Sequence, residues 1–314
     1  MSMSRIFSPS DLGAFAESWD LDLGEFLLQS ASSGEMRDFA DSTGELFTFA
    51  FLVCDKLLLS WETLSPEILT DASKLLCTIL NFREMEDCST LALPEEFITL
   101  LISKLTSQDK QLSHLCLFTT HRIYLLVPSA RILIRHRLGS ILSEYARCPS
   151  KSSAIAPSLD LLSRIISGAI LPAGQVFVDL QRKILLPLHR PNSWQIWDRQ
   201  EPLLGEYHKS LVSCIFGILK IRPDLLGEVF REIFHFFAPP SQANTAKDLL
   251  LYTEIESLLD FPEISRCFDD HLVPIFMTRV VSALKVSTSI VIFFCFSRKM
   301  RSLCRQFCNF GKNE

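Results

Sequence analysis

The residues best suited to chemistry are cationic and surround the tetrapeptide His121-Arg122-Ile123-Tyr124. No acidic residue occurs between Asp109 and Glu144, although the chain carries a net charge of −5. Arginine beside tyrosine and aliphatic side chains suits a peptide that carries both apolar and acidic or phosphorylated groups. Two plainer interpretations stay open, with His121 as a core histidine and the arginines as a solvated helix face. The cations that follow the tetrapeptide are Arg131, Arg135, His136 and Arg137.

Two helices must position these side chains. Pro128 would cost a helix interior a backbone hydrogen bond, so we predict one helix ending near Val127 and another beginning near Ser129. Arg131 and Arg135 are four residues apart and therefore project from one face of the second helix. The opposite, buried face is predicted to carry Ile134, Leu138, Ile141, Leu142 and Tyr145.

Apolar residues recur with helical periodicity along most of the chain, and no stretch alternates convincingly like a strand. Two later stripes are Leu159, Leu162, Ile166 and Ile170, then Val176, Leu180 and Ile184 in a helix that ends at Pro187. We predict about eleven or twelve helices in antiparallel pairs that recur every 40–47 residues or so, which indicates an all-α HEAT- or armadillo-like solenoid. A globular helical bundle is the alternative.

Three segments divide the chain in this prediction. Residues 1–44 are weakly patterned, residues 45–285 form the helical-repeat domain, and residues 286–314 form an apolar and then basic tail. The apolar run before and within the tail is too short and too interrupted for a membrane span. A last repeat helix, or a tail altered by divergence, fits it better.

Composition limits the possible functions. Hydrophobic residues make up 48% and charged residues 21% of the 314, which is typical of a folded protein. The negative net charge argues against general nucleic-acid binding. Ten cysteines without paired spacing, and an N-terminus without a signal-peptide core, indicate free thiols in a reducing compartment. We expect the cytoplasm, or the nucleus as well, and a disulfide framework is the alternative.

The sequence contains none of the common catalytic motifs. The sequence holds no Gly-rich phosphate loop, no His-Glu-x-x-His and no Gly-x-Ser-x-Gly. Cys304 and Cys308 lie four residues apart, but no histidine accompanies them, so a metal site there is not expected. We therefore predict no catalytic residue, no metal and no cofactor.

Two stretches resemble the B-prime regulatory subunits of protein phosphatase 2A. The first is Phe97–Tyr124, which ends in Thr-Thr-His-Arg-Ile-Tyr and is followed by Arg131 and Ile134-Arg135 at the family's offsets. The second runs from Leu161-Leu162 through Ile165-Ile166-Ser167-Gly168 and Leu171-Pro172 to Leu185-Leu186-Pro187-Leu188-His189. With weaker similarity over Leu249–Asp260, the resemblance covers about residues 45–285.

The resemblance implies a HEAT-like solenoid without catalysis of its own. Such a subunit docks on the phosphatase scaffold and catalytic subunits and recruits substrates through a Leu-x-x-Ile-x-Glu motif. A generic helical-repeat scaffold without motif recognition is the alternative. By position, the implied motif groove contains His121, Arg122, Tyr124, Arg131, Leu161 and Ile165, to which the charge pattern adds Arg135.

The chain departs from the family at two places. Gly174 and Phe177 stand where the family has a Lys and a His that hold the motif's acidic end. We therefore expect weaker recognition of the terminal Glu. After about Lys285 the sequence no longer follows the family's further repeats.

Overall fold

The computed structural model describes residues 95–107, 109–147, 155–168, 175–189, 203–237 and 245–261, together with 274 and 277–281. Every regular element in these ranges is a helix. The chain divides into two compact units, Met1–Ser140 and Ile141–Glu314. The predicted N-terminal segment 1–44, the helices predicted before residue 95 and the tail 286–314 lie outside the described residues.

The first unit contains α1 (Glu95–Lys104), α2 (Lys110–Leu126) and the beginning of α3 (Ala130–Arg147). Two glutamates open α1, where their charge favours the positive end of the helix dipole. Asp109 caps α2, since its Oδ1 accepts hydrogen bonds from the backbone N–H groups of Gln111 (2.8 Å) and Leu112 (3.3 Å). The cap at Asp109 therefore marks the start of α2.

α1 packs against α2 through an apolar interface. Ser113 extends this contact, because its hydroxyl donates to the carbonyl of Leu105 at the end of α1 (2.9 Å). That bond satisfies one of the carbonyls a helix end leaves without a partner. The buried residues of the two helices include Phe97, Ile98, Leu101, Ile102, Leu115 and Cys116.

The turn around Pro128 agrees with the prediction. α2 ends at Leu126 and α3 begins at Ala130. The backbone N–H of Val127 still donates to the Ile123 carbonyl (2.8 Å), and that of Arg131 donates to the Pro128 carbonyl (3.2 Å). The predicted inner stripe of α3 is also confirmed, because Ile134, Leu138, Leu142 and Tyr145 are buried and Ile141 is half-buried.

The second unit contains the remaining helices. They are α4 (Ile155–Ser167), α5 (Gln175–Leu180), α6 (Leu203–Ile221), α7 (Leu226–His235) and α8 (Thr245–Leu258). A π-helical turn (Gln181–Leu185) and a 3-10 turn (Leu186–His189) continue α5, and a second 3-10 turn (Pro223–Leu225) precedes α7.

α4 and α6 form the most extensive helix pair among the described elements. A Cβ added at Gly217 would lie 2.9 Å from Cγ2 of Ile166, so the absence of a side chain there permits the close approach. The Cys214 thiol donates to the Leu159 carbonyl across the same interface (3.1 Å). The predicted stripe is confirmed at Leu159, Leu162 and Ile166, since all three are buried in this core. Ile170 lies outside the described residues.

The stripe predicted for α5 is confirmed in part, because Leu180 and Ile184 are half-buried against the core but Val176 is not. Val176 is 67% exposed, and Phe177, Val178 and Gln181 are buried instead. Regular helical periodicity does not hold here, because the π-helical turn places more residues in one turn than an α-helix does. One consequence is that the side chain of Gln181 is buried with neither amide atom hydrogen-bonded.

Candidate peptide-binding site

Arg131 is held by the end of the preceding helix. Its Nε donates to the Tyr124 carbonyl (2.8 Å), and one Nη donates to the Leu125 carbonyl (2.9 Å). The guanidinium carbon lies 5.7 Å from the centre of the Tyr124 ring, within the range of a cation–π contact. A cation is favourable at the C-terminus of α2, where backbone carbonyls lack helical partners. Arg131 is therefore fixed before any ligand arrives.

His121, Arg122 and Tyr124 lie in the last two turns of α2, and each is half-buried. His121 and Tyr124 are three residues apart and share one face of the helix. Arg135 follows one turn after Arg131 on α3 and is exposed. We call these five residues, His121, Arg122, Tyr124, Arg131 and Arg135, the basic cluster.

Arg137, a neighbouring cation, has an acidic partner far away in sequence. Its guanidinium donates to the Glu95 carboxylate at the start of α1 (3.2 Å). The two side chains are 41% and 61% exposed, so water screens the pair and it adds little stability. Sequence inspection missed this pair because Glu95 precedes the acid-free stretch.

Two large apolar side chains are exposed near these cations in sequence. Leu125 is 44% exposed and directly follows Tyr124, and Ile132 is 72% exposed and directly follows Arg131. Periodicity alone did not single them out. Charge and apolar surface thus occur together along this stretch, as a mixed acidic and apolar peptide requires.

The two aliphatic residues of the predicted groove belong to the second unit. Leu161 is 0% exposed and Ile165 is 6% exposed, both on α4. Phe177 is also buried, in the core of the second unit. Gly174 lies outside the described residues. The structure thus places the charged and aromatic members of the predicted site at or near the surface and the aliphatic members inside.

The buried thiols have no nucleophilic character. Burial raises the pKa of Cys116 to about 12, and burial also raises the pKa of Cys214. A thiolate is the reactive form of cysteine, so both remain inert core thiols at neutral pH. Both are free, as predicted for these positions.

In the described ranges, no three or more His, Cys, Asp or Glu side chains are grouped so that they could hold a metal ion. None of the helices described is both long enough and apolar enough to cross a bilayer.

In the part of the chain that the structure describes, every regular element is a helix, and Arg131 is held at the end of one of them. Comparison with known proteins assigns the chain to a family. The chain belongs to the B56 family of protein phosphatase 2A regulatory B subunits, whose family model matches residues 74–291, more than half of the chain.

Individual relatives agree with this assignment. The chain is 29% identical over 170 residues to a 56 kDa regulatory subunit delta isoform of phosphatase 2A from Saccharomyces cerevisiae, covering 54% of this chain and 21% of that protein. It is 26% identical to the B' kappa isoform of Arabidopsis thaliana, covering 59% and 34%. It is 24% identical to the regulatory subunit pptr-1 of Caenorhabditis elegans, covering 54% and 29%.

These matches confirm the predicted family and the all-α, HEAT-like class. The relatives are named as regulatory and not as catalytic subunits, so the chain belongs to a non-catalytic class. The chain spans between about a fifth and a third of the length of these relatives. A solved engineered protein also aligns, at a TM-score of 0.37 and 14% identity, a likeness too weak to bear on the fold.

Proposed function

We propose that this chain is a regulatory subunit of a phosphatase 2A-type serine/threonine phosphatase. In this proposal it binds the scaffold and catalytic subunits and recruits substrates that carry a short linear motif. Family membership and the names of the relatives support the regulatory role. The free core thiols Cys116 and Cys214 fit the cytoplasmic or nuclear location that we propose with it.

The observation that carries the proposal is the fixed guanidinium of Arg131. An arginine side chain has five N–H donors, and the bonds to Tyr124 and Leu125 leave others for a ligand. Because the side chain is already ordered, binding an acidic or phosphorylated group costs less conformational entropy. Arg122, half-buried on α2, supplies a second positive charge in the proposed site.

Apolar recognition falls mainly on Tyr124 in this proposal. Its ring is half-buried, which leaves a face or edge for an aliphatic side chain. Leu161 and Ile165 are buried, so they present at most a small edge to the peptide. We therefore expect this chain to discriminate less among apolar positions of the motif than its resemblance implies.

The terminal Glu of the motif should also matter little. Phe177 stands at the position of the family's His but lies in the core, so its ring cannot replace a charged contact. Changing that Glu of the peptide to Ala should change the Kd by less than about threefold, because no charge-assisted bond is lost. Isothermal titration with a matched peptide pair measures this. A tenfold or larger loss would show that another side chain binds the Glu.

Titration with variants tests the basic cluster. Arg131→Ala should weaken binding of an acidic motif peptide by about 1.5–3 kcal/mol, the usual value of a charge-assisted hydrogen bond. Phosphorylating the peptide near this arginine should strengthen binding, and added salt should reduce the gain. Arg147→Ala is the matched control, an exposed arginine at the other end of α3. If both variants lose the same binding free energy, the loss comes from the change in net charge and not from a contact made by Arg131.

The burial of Leu161 and Ile165 favours one alternative, a helical scaffold that assembles with the phosphatase but reads no motif. The same experiments separate the two. Co-purification with phosphatase subunits, without measurable binding of any motif peptide, would establish the scaffold alternative.

A further inference from the structure

Three buried ionisable side chains meet in the core of the second unit. His189 ends the 3-10 turn after α5, His208 lies on α6 and Glu254 lies on α8. The Nε2 atoms of the two histidines lie 3.1 and 3.2 Å from the same Oε2 of Glu254. His189 Nδ1 lies 3.0 Å from the Leu186 carbonyl oxygen. We call His189, His208 and Glu254 the buried trio; their exposures are 0%, 8% and 1%.

With both histidines neutral and Glu254 ionised, the three side chains carry one hydrogen too few for these three contacts. Each of the three contacts needs one hydrogen between its two atoms. A carbonyl oxygen and a carboxylate only accept, so the histidines must supply all three hydrogens. Two neutral imidazoles carry one N–H each and supply two. Without a third, one buried contact would join two lone pairs, at a cost that folded proteins avoid.

We infer that the buried trio retains one extra proton in the folded protein at neutral pH, and that this proton fastens the 3-10 turn Leu186–His189 to α8. The extra proton makes the trio neutral overall, because one imidazolium balances one carboxylate. A neutral group is the form that a fully buried site tolerates, and here the second carboxylate oxygen of Glu254, Oε1, is buried without a hydrogen-bond partner. The inference goes beyond motif binding and does not depend on it.

The surroundings keep this proton off the carboxyl group of Glu254. Burial alone would raise the pKa of Glu254, but the charge of His189 and hydrogen bonds from both histidines lower it to about 2. The His189 ring also stacks on Phe236, with centroids 5.3 Å apart and planes inclined by 14°. An aromatic face attracts a cation, so this stacking favours the imidazolium.

The inference predicts the direction of the pH dependence. In an unfolded chain, His has a pKa of about 6.5, so above that pH the three side chains do not hold the extra proton. Unfolding then releases one proton, and stability falls as pH rises. The unfolding equilibrium constant should increase by up to about tenfold per pH unit above pH 6.5.

Lys247 and Tyr207, which bond to the elements beside the trio, do not mimic this dependence. Lys247 donates to the Phe236 carbonyl (2.6 Å), and burial lowers its pKa to about 8, so its own contribution has the opposite sign and begins near pH 8. Tyr207 donates to the Leu188 carbonyl (2.9 Å), and burial raises its pKa, so it stays neutral. The useful window therefore runs from about pH 6.5 to 8. The other charged groups on α5 and its two turns, α6, α7 and α8 are Asp179, Arg182, Lys183, Glu206, Lys209, Lys220, Glu228, Arg231, Glu232, His235, Asp248 and Glu256.

Glu254→Gln is the decisive variant. Its amide NH2 can donate to both imidazoles, so all three contacts form with neutral histidines and no extra proton. His208→Gln is the matched control, because an amide N–H replaces one imidazole N–H and the count for His189 is unchanged. Its pH dependence should therefore match that of the unmodified chain.

Two measurements on the full chain test the inference. Nitrogen NMR of ¹⁵N-histidine-labelled protein at pH 7.5 should show both His189 ring nitrogens protonated, or one proton shared with Glu254, and neutral His189 in Glu254→Gln. Urea unfolding is followed by circular dichroism from pH 6.5 to 8. The free energy of unfolding should fall with rising pH in the unmodified chain and in His208→Gln, and should not change with pH in Glu254→Gln. Equal slopes in all three proteins would overturn the inference. So would a neutral His189 beside an ionised Glu254, and if Glu254→Gln does not fold, His189 in the unmodified chain still decides by NMR.

Discussion

Arg131 contributes to the fold and also to the proposed binding site. It stabilises the end of α2 through the Tyr124 and Leu125 carbonyls, and it is also the proposed anchor for an acidic ligand. A binding defect in an Arg131 variant therefore has to be separated from a folding defect.

Arg131→Ala should lower the free energy of unfolding by about 1–2 kcal/mol, because two hydrogen bonds from a charged, half-buried donor are lost. Arg135→Ala should change it by less than about 0.5 kcal/mol, as expected of an exposed side chain. Chemical denaturation of both variants measures the difference. If the two variants lose the same stability, the hydrogen bonds of Arg131 do not cap α2 in solution.

Gln181 lowers the stability of the fold. Its amide is buried in the π-helical turn without a hydrogen-bond partner. Gln181→Met keeps the length of the side chain and removes both unpaired groups, so it should stabilise the protein by about 1–2 kcal/mol. Thermal unfolding gives the shift in Tm. A lower Tm would mean that the amide is satisfied in solution, for example by a bound water.

At the scale of helices, the contact between α4 and α6 is the most constrained. Gly217→Ala places a methyl group 2.9 Å from the fully buried Ile166, so the helices must separate or Ile166 must leave its rotamer. We expect a loss of about 1–3 kcal/mol, as for other overpacked cores.

Gly205→Ala is the control for this change. It lies on the same helix, and its added methyl group would have ordinary contact with Leu250, at 3.9 Å. It should be neutral or slightly stabilising, because Ala favours helix over Gly. Denaturation midpoints of the two variants measure the contrast. A Gly217→Ala protein as stable as Gly205→Ala would show that the two helices do not pack so closely.

A helix boundary could be predicted from the sequence where nearby residues alone set it. Pro128 acts on its own neighbours, so the turn between α2 and α3 could be placed to within a residue or two. The stripe from Val176 to Ile184 could be placed only in part, because a π-helical turn follows α5 and changes the helical period there. Gln181, the first residue of that turn, is buried, whereas Val176 lies in the regular part of α5 and is exposed.

At the scale of the whole molecule, the sequence predicts what local patterns encode and misses contacts between distant residues. The family could be recognised because its motifs are contiguous, such as the run that ends in His121-Arg122-Ile123-Tyr124. The pairing of Arg137 with Glu95 and that of His189 with Glu254 join residues 42 and 65 positions apart. No periodicity specifies such pairs, and the burial of Leu161 and Ile165 depends likewise on the packing of other segments.

Assembly with the phosphatase core tests the central claim most directly. The purified chain is mixed with phosphatase 2A scaffold and catalytic subunits and passed over a size-exclusion column, and folded Arg131→Ala is run beside it as a variant of the motif site. The account predicts that both forms of the chain elute together with the two subunits, and that only the unmodified chain also retains an acidic motif peptide. Elution of the unmodified, folded chain apart from both subunits would contradict the proposed regulatory role.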